Sequence, residues 1–244
     1  MYSANTPDDL FDLFFTNNDY VRTDIDQATG VPRRSRYALV TTLRVTWNGH
    51  PGVRAWTKRG CGPTEPGLIV YDPEFRPEWT PPAEVEDLPA SVRKAARLVD
   101  GTGCHRFGIA PGALPFFGLD PIACEVNLAE GAYRDLPWGS IDLVDIQSQR
   151  LLGDHCLPQG GLALYEQIVS RLAALFKEAN PNIEVLTQVS FRDSAADTMT
   201  TAIARVAKDV DGIYFSYPTT NPDIPCAYCR PEELEVLLRY LDPQ

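Results

Sequence analysis

The sequence is short of several things. It contains no apolar run near the roughly 20 residues that a membrane-spanning helix needs. Its first residues, MYSANTPDDLFDLFF, carry acids where a secretory signal needs a basic segment, so a cytoplasmic location is expected. Basic residues are too few to form a basic face: 22 Lys and Arg stand against 33 Asp and Glu, a net charge of -11. That balance argues against nucleic acid or an anionic membrane as a partner. No glycine-rich phosphate loop, HExxH or Ser-His-Asp order occurs, so neither a cofactor nor a metal is expected. The three histidines, His50, His105 and His155, are isolated.

Lysine is scarcer than arginine, 4 against 18, and Met occurs twice, a composition that suggests high-GC bacterial coding. Hydrophobic residues make up 44% and charged residues 23%, ordinary values for a globular domain. A single domain over 1–244 is expected, with an irregular segment at about 1–36. Of the six cysteines, Cys61, Cys104, Cys124 and Cys156 show no paired spacing, and a reducing compartment would keep them as thiols. Cys226 and Cys229 form a CxxC, which suits half a zinc site, a redox pair or a staple; His155-Cys156 has no spacing that completes a metal set.

From Tyr37 onward, β-branched and aromatic runs alternate with stretches of helical period. Strands are expected at 37–45, 67–74, 104–112, 141–149, 183–191 and 212–218. Helices are expected between them, the clearest with Leu164, Ile168, Leu172 and Leu175 at helical spacing and a stop at Asn180-Pro181. PEELEVLLRYL opens with Pro231 at a first-turn position. Alternating strands and helices imply parallel pairing, so the expected fold is α/β, a (β/α)8 TIM-like barrel in preference to an open doubly wound sheet. Six strands are legible; either the missing two fall in the N-terminal third and around 123–128, or the barrel is incomplete or irregular.

In such a barrel, function sits at the carboxyl ends of the strands. Those ends are polar: Asp72 and Glu74 after the second run, Asp145, Gln147, Ser148 and Gln149 in DLVDIQSQ, Gln188, Ser190 and Arg192 in the fifth, and Tyr214, Ser216 and Tyr217 in the sixth. Strand alternation puts Asp145, Gln147 and Gln149 on one face, opposite Val144 and Ile146. The apolar face fits against helices, so the amides point to the other side, where a buried amide needs partners for both its ends. Trp79, Trp138, Phe116, Phe117, Tyr214 and Tyr217 are candidate pocket aromatics, at least half of them expected in the core.

DLVDIQSQ resembles the DxxDxDxE strand of chitinase-like glycosidases, in which the final Glu is the general acid and the neighbouring Asp orients a substrate amide. Gln149 and Gln147 stand at those two positions, and a glutamine cannot serve as a general acid, so the hydrolytic mechanism does not carry over. The order YDPE, WTPPAE, DIQSQ, ANPNIEVLTQVS, VDGIYFSYP and a proline-flanked CxxC, over roughly residues 67–242, is similar to that of bacterial glycosidase-like barrel proteins. That resemblance implies that the paired glutamines are a feature of the group. Many of its members are secreted, so the missing signal segment points to an intracellular role such as biosynthesis.

An amide pair beside one carboxylate suits polarising a carbonyl or hydroxyl while a proton moves. The expected function is therefore a small-molecule enzyme of isomerase, lyase, cyclase or dehydratase type in specialised metabolism. Asp145, Tyr214 and Glu125 are the candidate catalytic residues; Gln147, Gln149, Gln188, Asp72, Arg192 and Tyr217 are the candidate substrate-binding ones. The alternatives are a glycoside hydrolase using Asp145 with Glu125 or Asp72, and a non-catalytic binder of carbohydrate or metabolite.

Overall fold

The β-branched and aromatic runs pair as their composition favours. The computed structural model describes residues 8–14, 22–23, 37–44, 46–47, 50–58, 67–74, 77, 79–112, 116, 118–120, 122–128, 132–217 and 226–242. Val45, Cys61, Phe117 and Pro218 lie outside the described residues. Seven strands form one all-parallel sheet: β1 (Arg22–Thr23), β2 (Tyr37–Val40), β3 (Leu68–Tyr71), β4 (Arg106–Ile109), β5 (Leu143–Ile146), β6 (Glu184–Ser190) and β7 (Gly212–Ser216). Each pairs with the next in the chain, so their order in the sheet is their order in the sequence. A doubly wound sheet reverses direction at a switch point; this one does not. Right-handed crossovers that always step the same way lay their helices on one face.

The helix layer follows its apolar stripes. After the short α1 (Asp8–Phe14) and α2 (Val53–Trp56), α3 (Pro82–Glu86) leads into α4 (Leu88–Asp100). Asp87 caps α4 by accepting from the Ala90 amide at 3.0 Å, and Leu88, Val92, Ala95, Ala96 and Val99 are buried. α5 (Gly161–Ala179) buries Tyr165, Ile168, Val169, Leu172, Ala173 and Phe176. Its stripe is thus rotated from the expected one: Leu164 and Leu175 are only partly buried, because the aromatic rings of Tyr165 and Phe176 take the core positions. α6 (Ala196–Val206) and α7 (Pro231–Leu241) complete the layer, with Pro231 in the first turn as expected.

The expected strand around 123–128 is instead one arm of a small antiparallel hairpin, Leu119–Asp120 with Glu125–Val126, outside the main sheet. The Asp120 carboxylate accepts from the amides of Ile122 and Ala123 at 2.9 and 3.0 Å, turning the chain back before it can extend. The N-terminal third does supply a strand, β1, beside β2. Among the described residues seven parallel strands stand where eight were expected, and β7 and β1 share no ladder.

The expectation of free thiols fails. Cys124 and Cys156 are joined at a Cα separation of 5.6 Å, Cys226 is joined to Cys229, and Cys104 is also disulfide-bonded. The first bridge links the hairpin to the segment after β5 across 32 residues. Only folding brings those two loops together, so no spacing rule announces it.

Phe176, fully buried, stacks on Trp138 at 4.5 Å and meets Tyr133 edge-on at 6.1 Å. Phe176→Ala is expected to cost about 3–5 kcal/mol in urea unfolding. Leu13→Ala, at a residue 51% exposed, is expected to cost less than about 0.5 kcal/mol.

Candidate functional site

Strand alternation divides the sheet into two unlike faces. Ile69, Tyr71, Phe107, Ile109, Val144, Ile146, Val185, Val189 and Phe215 join the helices in the main core. Among the described residues the opposite face has a small apolar floor of Leu68, Val70, Ala110, Leu143 and Leu186. Above that floor, toward the carboxyl ends, the face becomes polar. Val70 pairs with Gly108 and Gly108 with Leu143, so two residues further on Asp72, Ala110 and Asp145 share a layer. Both aspartates are buried, at 4% and 5% exposure. They stand two strands apart, which at roughly 4.8 Å per strand separates their Cα atoms by about 10 Å.

The next layer holds the amides. Leu186 is opposite Asp145 and Gln188 is opposite Tyr214, so Gln147, Gln188 and Tyr214 form a row across β5, β6 and β7. Gln147 Nε2 donates to the Ala110 carbonyl at 2.7 Å and to Asp72 Oδ1 at 3.2 Å. Both of its N–H groups are thereby committed, and its Oε1 accepts nothing among the described residues. Gln188 is 7% exposed, and its amide makes no hydrogen bond among the described residues. An amide has two donor and two acceptor positions, so Gln188 and the Gln147 oxygen can address a ligand hydroxyl or carbonyl.

Not every expected residue joins this face. β5 ends at Ile146, and Ser148 turns into the helical region (φ -103°, ψ -2°), so Gln149 opens a 3₁₀ turn over Gln149–Leu152 and leaves the strand alternation. Its Oε1 is buried without a hydrogen-bond partner among the described residues. The register sets Gln188 of the neighbouring strand in line with Gln147, while Gln149 follows beyond the strand end. Tyr217 packs edge-on against Phe191 at 5.3 Å in the helix-side core, because alternation from Ser216 turns it away. Glu125 is exposed on the hairpin outside the sheet. Arg192 is exposed in the turn after β6. Of the candidate aromatics, Trp138 and Phe116 belong to the main core with Tyr217, Tyr214 lies on the polar face, and Trp79 is half-buried.

A hydroxyl chain backs the site from the helix side. The hydroxyls of Tyr165 and Ser148 meet Thr187 Oγ1 at 2.9 and 3.0 Å, all three buried. Burial pushes the Tyr165 phenol well above its ordinary value, and the charge of Asp145 adds to the push. Tyr165 thus stays a protonated hydroxyl, and the chain holds Ser148 where β5 ends.

Sequence reasoning missed Asp193. It sits in the turn after β6, hydrogen-bonded to Ser190, which is itself buried at the carboxyl end of that strand. Burial raises the Asp193 carboxyl above its ordinary value; Ser190, Arg150, Arg192 and His155 oppose the shift. The FRDS segment after a strand was the available signal. Cys124, His155 and Cys156 bring potential ligand atoms within 4.8 Å of one another, but the two sulfurs are bonded to each other, which leaves one histidine and no ligand set.

Because the Asp193 carboxyl binds its proton more tightly folded than unfolded, its stabilising contribution is complete below the unfolded value of 3.8. It is lost as pH rises through the raised folded value. Asp193→Asn is expected to flatten the dependence of thermal stability on pH over that window; an unchanged profile would place the carboxyl in solvent. No protein-family model matches the chain, and no curated protein matches it either.

Proposed function

We propose that this chain is an enzyme that moves a proton on a small hydroxylated or carbonyl-bearing molecule, as an isomerase, lyase, cyclase or dehydratase does, on a sheet closed into a (β/α) barrel. The strictly sequential parallel order, with helices on one side, supports the barrel. The observation that carries the function is the pair of buried carboxylates, Asp72 and Asp145, beneath the row of Gln147, Gln188 and Tyr214. Asp145 takes or gives the proton. Asp72 accepts from the Gln147 amide and orients it. Gln188 and Tyr214 polarise the oxygen at which negative charge develops.

A second reading, inverting glycoside hydrolysis, is favoured by one observation: two carboxylates two strands apart approach the roughly 6.5–9.5 Å that such enzymes need between carboxyl groups. Asp72 would serve as the base and Asp145 as the acid. A partnership of Asp145 with Glu125 is set aside, since Glu125 is exposed outside the sheet.

The disulfides favour an oxidising compartment over the expected cytoplasm. Among the described residues no helix is long and apolar enough to cross a membrane. A role outside the reducing cytoplasm is therefore part of the proposal, in place of intracellular biosynthesis. Alkylation of the denatured, unreduced protein is expected to leave Cys124, Cys156, Cys226 and Cys229 unlabelled; labelling of these four would restore the cytoplasm.

The reaction is tested by NMR in D2O with a panel of aldoses, ketoses and uronates. Deuterium wash-in at carbon is expected with the wild type and is expected to fall by about 10²–10⁴-fold in Asp145→Asn. The variant should melt within about 3 °C of the wild type; a much lower midpoint would make Asp145 structural. Hydrolysis of aryl glycosides with inversion, lost in both Asp72→Asn and Asp145→Asn, would establish the second reading instead. Binding of panel members without turnover would make the protein a binder.

A further inference from the structure

A cleft of about 520 Å³ opens where the segment after β2 meets α2, α3 and the first turns of α4. Its size lies within the roughly 300–1,000 Å³ of small-molecule sites. Its charge runs against that of the chain. Arg44, Arg54 and Lys94 line it, and among the described residues none of their side chains makes a hydrogen bond or an ion pair.

The cleft also contains two acids, Glu84 and Asp87; both oxygens of Glu84 and one oxygen of Asp87 accept hydrogen bonds within the fold. Glu84, 8% exposed, accepts from Thr42 Oγ1 at 3.0 Å, the Leu43 amide at 3.0 Å and the Tyr71 hydroxyl at 2.9 Å. Burial, with Glu84 beside it, holds the Tyr71 phenol well above its ordinary value, so that donor persists. Asp87 caps α4. Three of the roughly four lone-pair positions of Glu84 are thus filled, while the donors of three cations are unused.

The cleft is separate from the polar sheet face. Tyr71 points to the helix side of β3 and reaches Glu84; the next residue, Asp72, points to the opposite side and reaches Gln147. One strand end therefore serves two sites, back to back.

We infer that this cleft binds a small molecule through a tetrahedral oxyanion, a phosphate or sulfate ester. The three cations stand on three different elements: the segment after β2, α2 and α4. Cations that line one cleft from three elements suit the three oxygens of a tetrahedral group better than the two in-plane oxygens of a carboxylate. Two guanidinium forks and one ammonium supply the directional and the point-charge contacts that such groups take. Because the cations are exposed, the affinity should fall as salt rises.

The test is calorimetric titration of the full chain with sodium phosphate and, separately, sodium sulfate, with sodium acetate at matched ionic strength as the reference. The double variant Arg44→Gln with Lys94→Gln is compared with Arg134→Gln with Arg171→Gln, which removes the same charge from exposed positions outside the cleft. Saturable binding of phosphate or sulfate is expected, weakened about tenfold or more in the cleft variant and unchanged in the other. Which of the two anions binds tighter identifies the ester. Equal weakening in both variants, acetate binding as tightly as either oxyanion, or the absence of saturable binding in a wild type with a normal unfolding midpoint would overturn the inference.

Discussion

The rest of the structure depends on the phase of side-chain alternation being kept from strand to strand. Val144 and Ile146 face the helices, as do Ile69 and Tyr71, Phe107 and Ile109, and Val185 and Val189 on the neighbouring strands. Asp72, Asp145, Gln147 and Gln188 are carried by default to the other side. A slip of one residue in β5 would drive Asp145 into an apolar layer and expose Val144, so the hydrophobic effect enforces the register and, with it, the polar face.

That division explains why polar groups on one sheet behave so differently. On the helix side, hydroxyls satisfy one another: Tyr165, Thr187 and Ser148 form a closed chain with no water-facing member. On the other side, satisfaction is partial. Gln147 spends its nitrogen on Ala110 and Asp72, and Gln188 spends nothing among the described residues. Amide positions left open in a largely buried setting cost stability unless water or a ligand completes them.

The loops reinforce the arrangement. The Cys124–Cys156 bridge ties the hairpin before β5 to the segment after it, so the rim beside Gln147 and Gln149 is tethered from both sides. At β3 the alternation of Tyr71 and Asp72 sends one polar contact to each face, and the basic cleft and the aspartate layer become neighbours through a single backbone step. In that cleft the Glu84 carboxylate is engaged through both oxygens and Asp87 through one, against three cations.

By itself the sequence determined the α/β class, the positions of β3 through β7, the helices between them and the side of the sheet to which Asp145 and Gln147 belong, because each of these is a local period of apolar residues. It also marked Gln188 and Tyr214 as polar strand ends. Only the tertiary structure decided that Gln188 stands in line with Gln147 across the sheet and that the strand ends before Gln149, since a strand's end depends on what its backbone meets. It likewise decided the hairpin at 119–126, the disulfides, the place of Asp193 and the gathering of Arg44, Arg54 and Lys94. The Cys124–Cys156 bridge and the gathering of the three cations join residues far apart in the chain, and no short-range pattern records them.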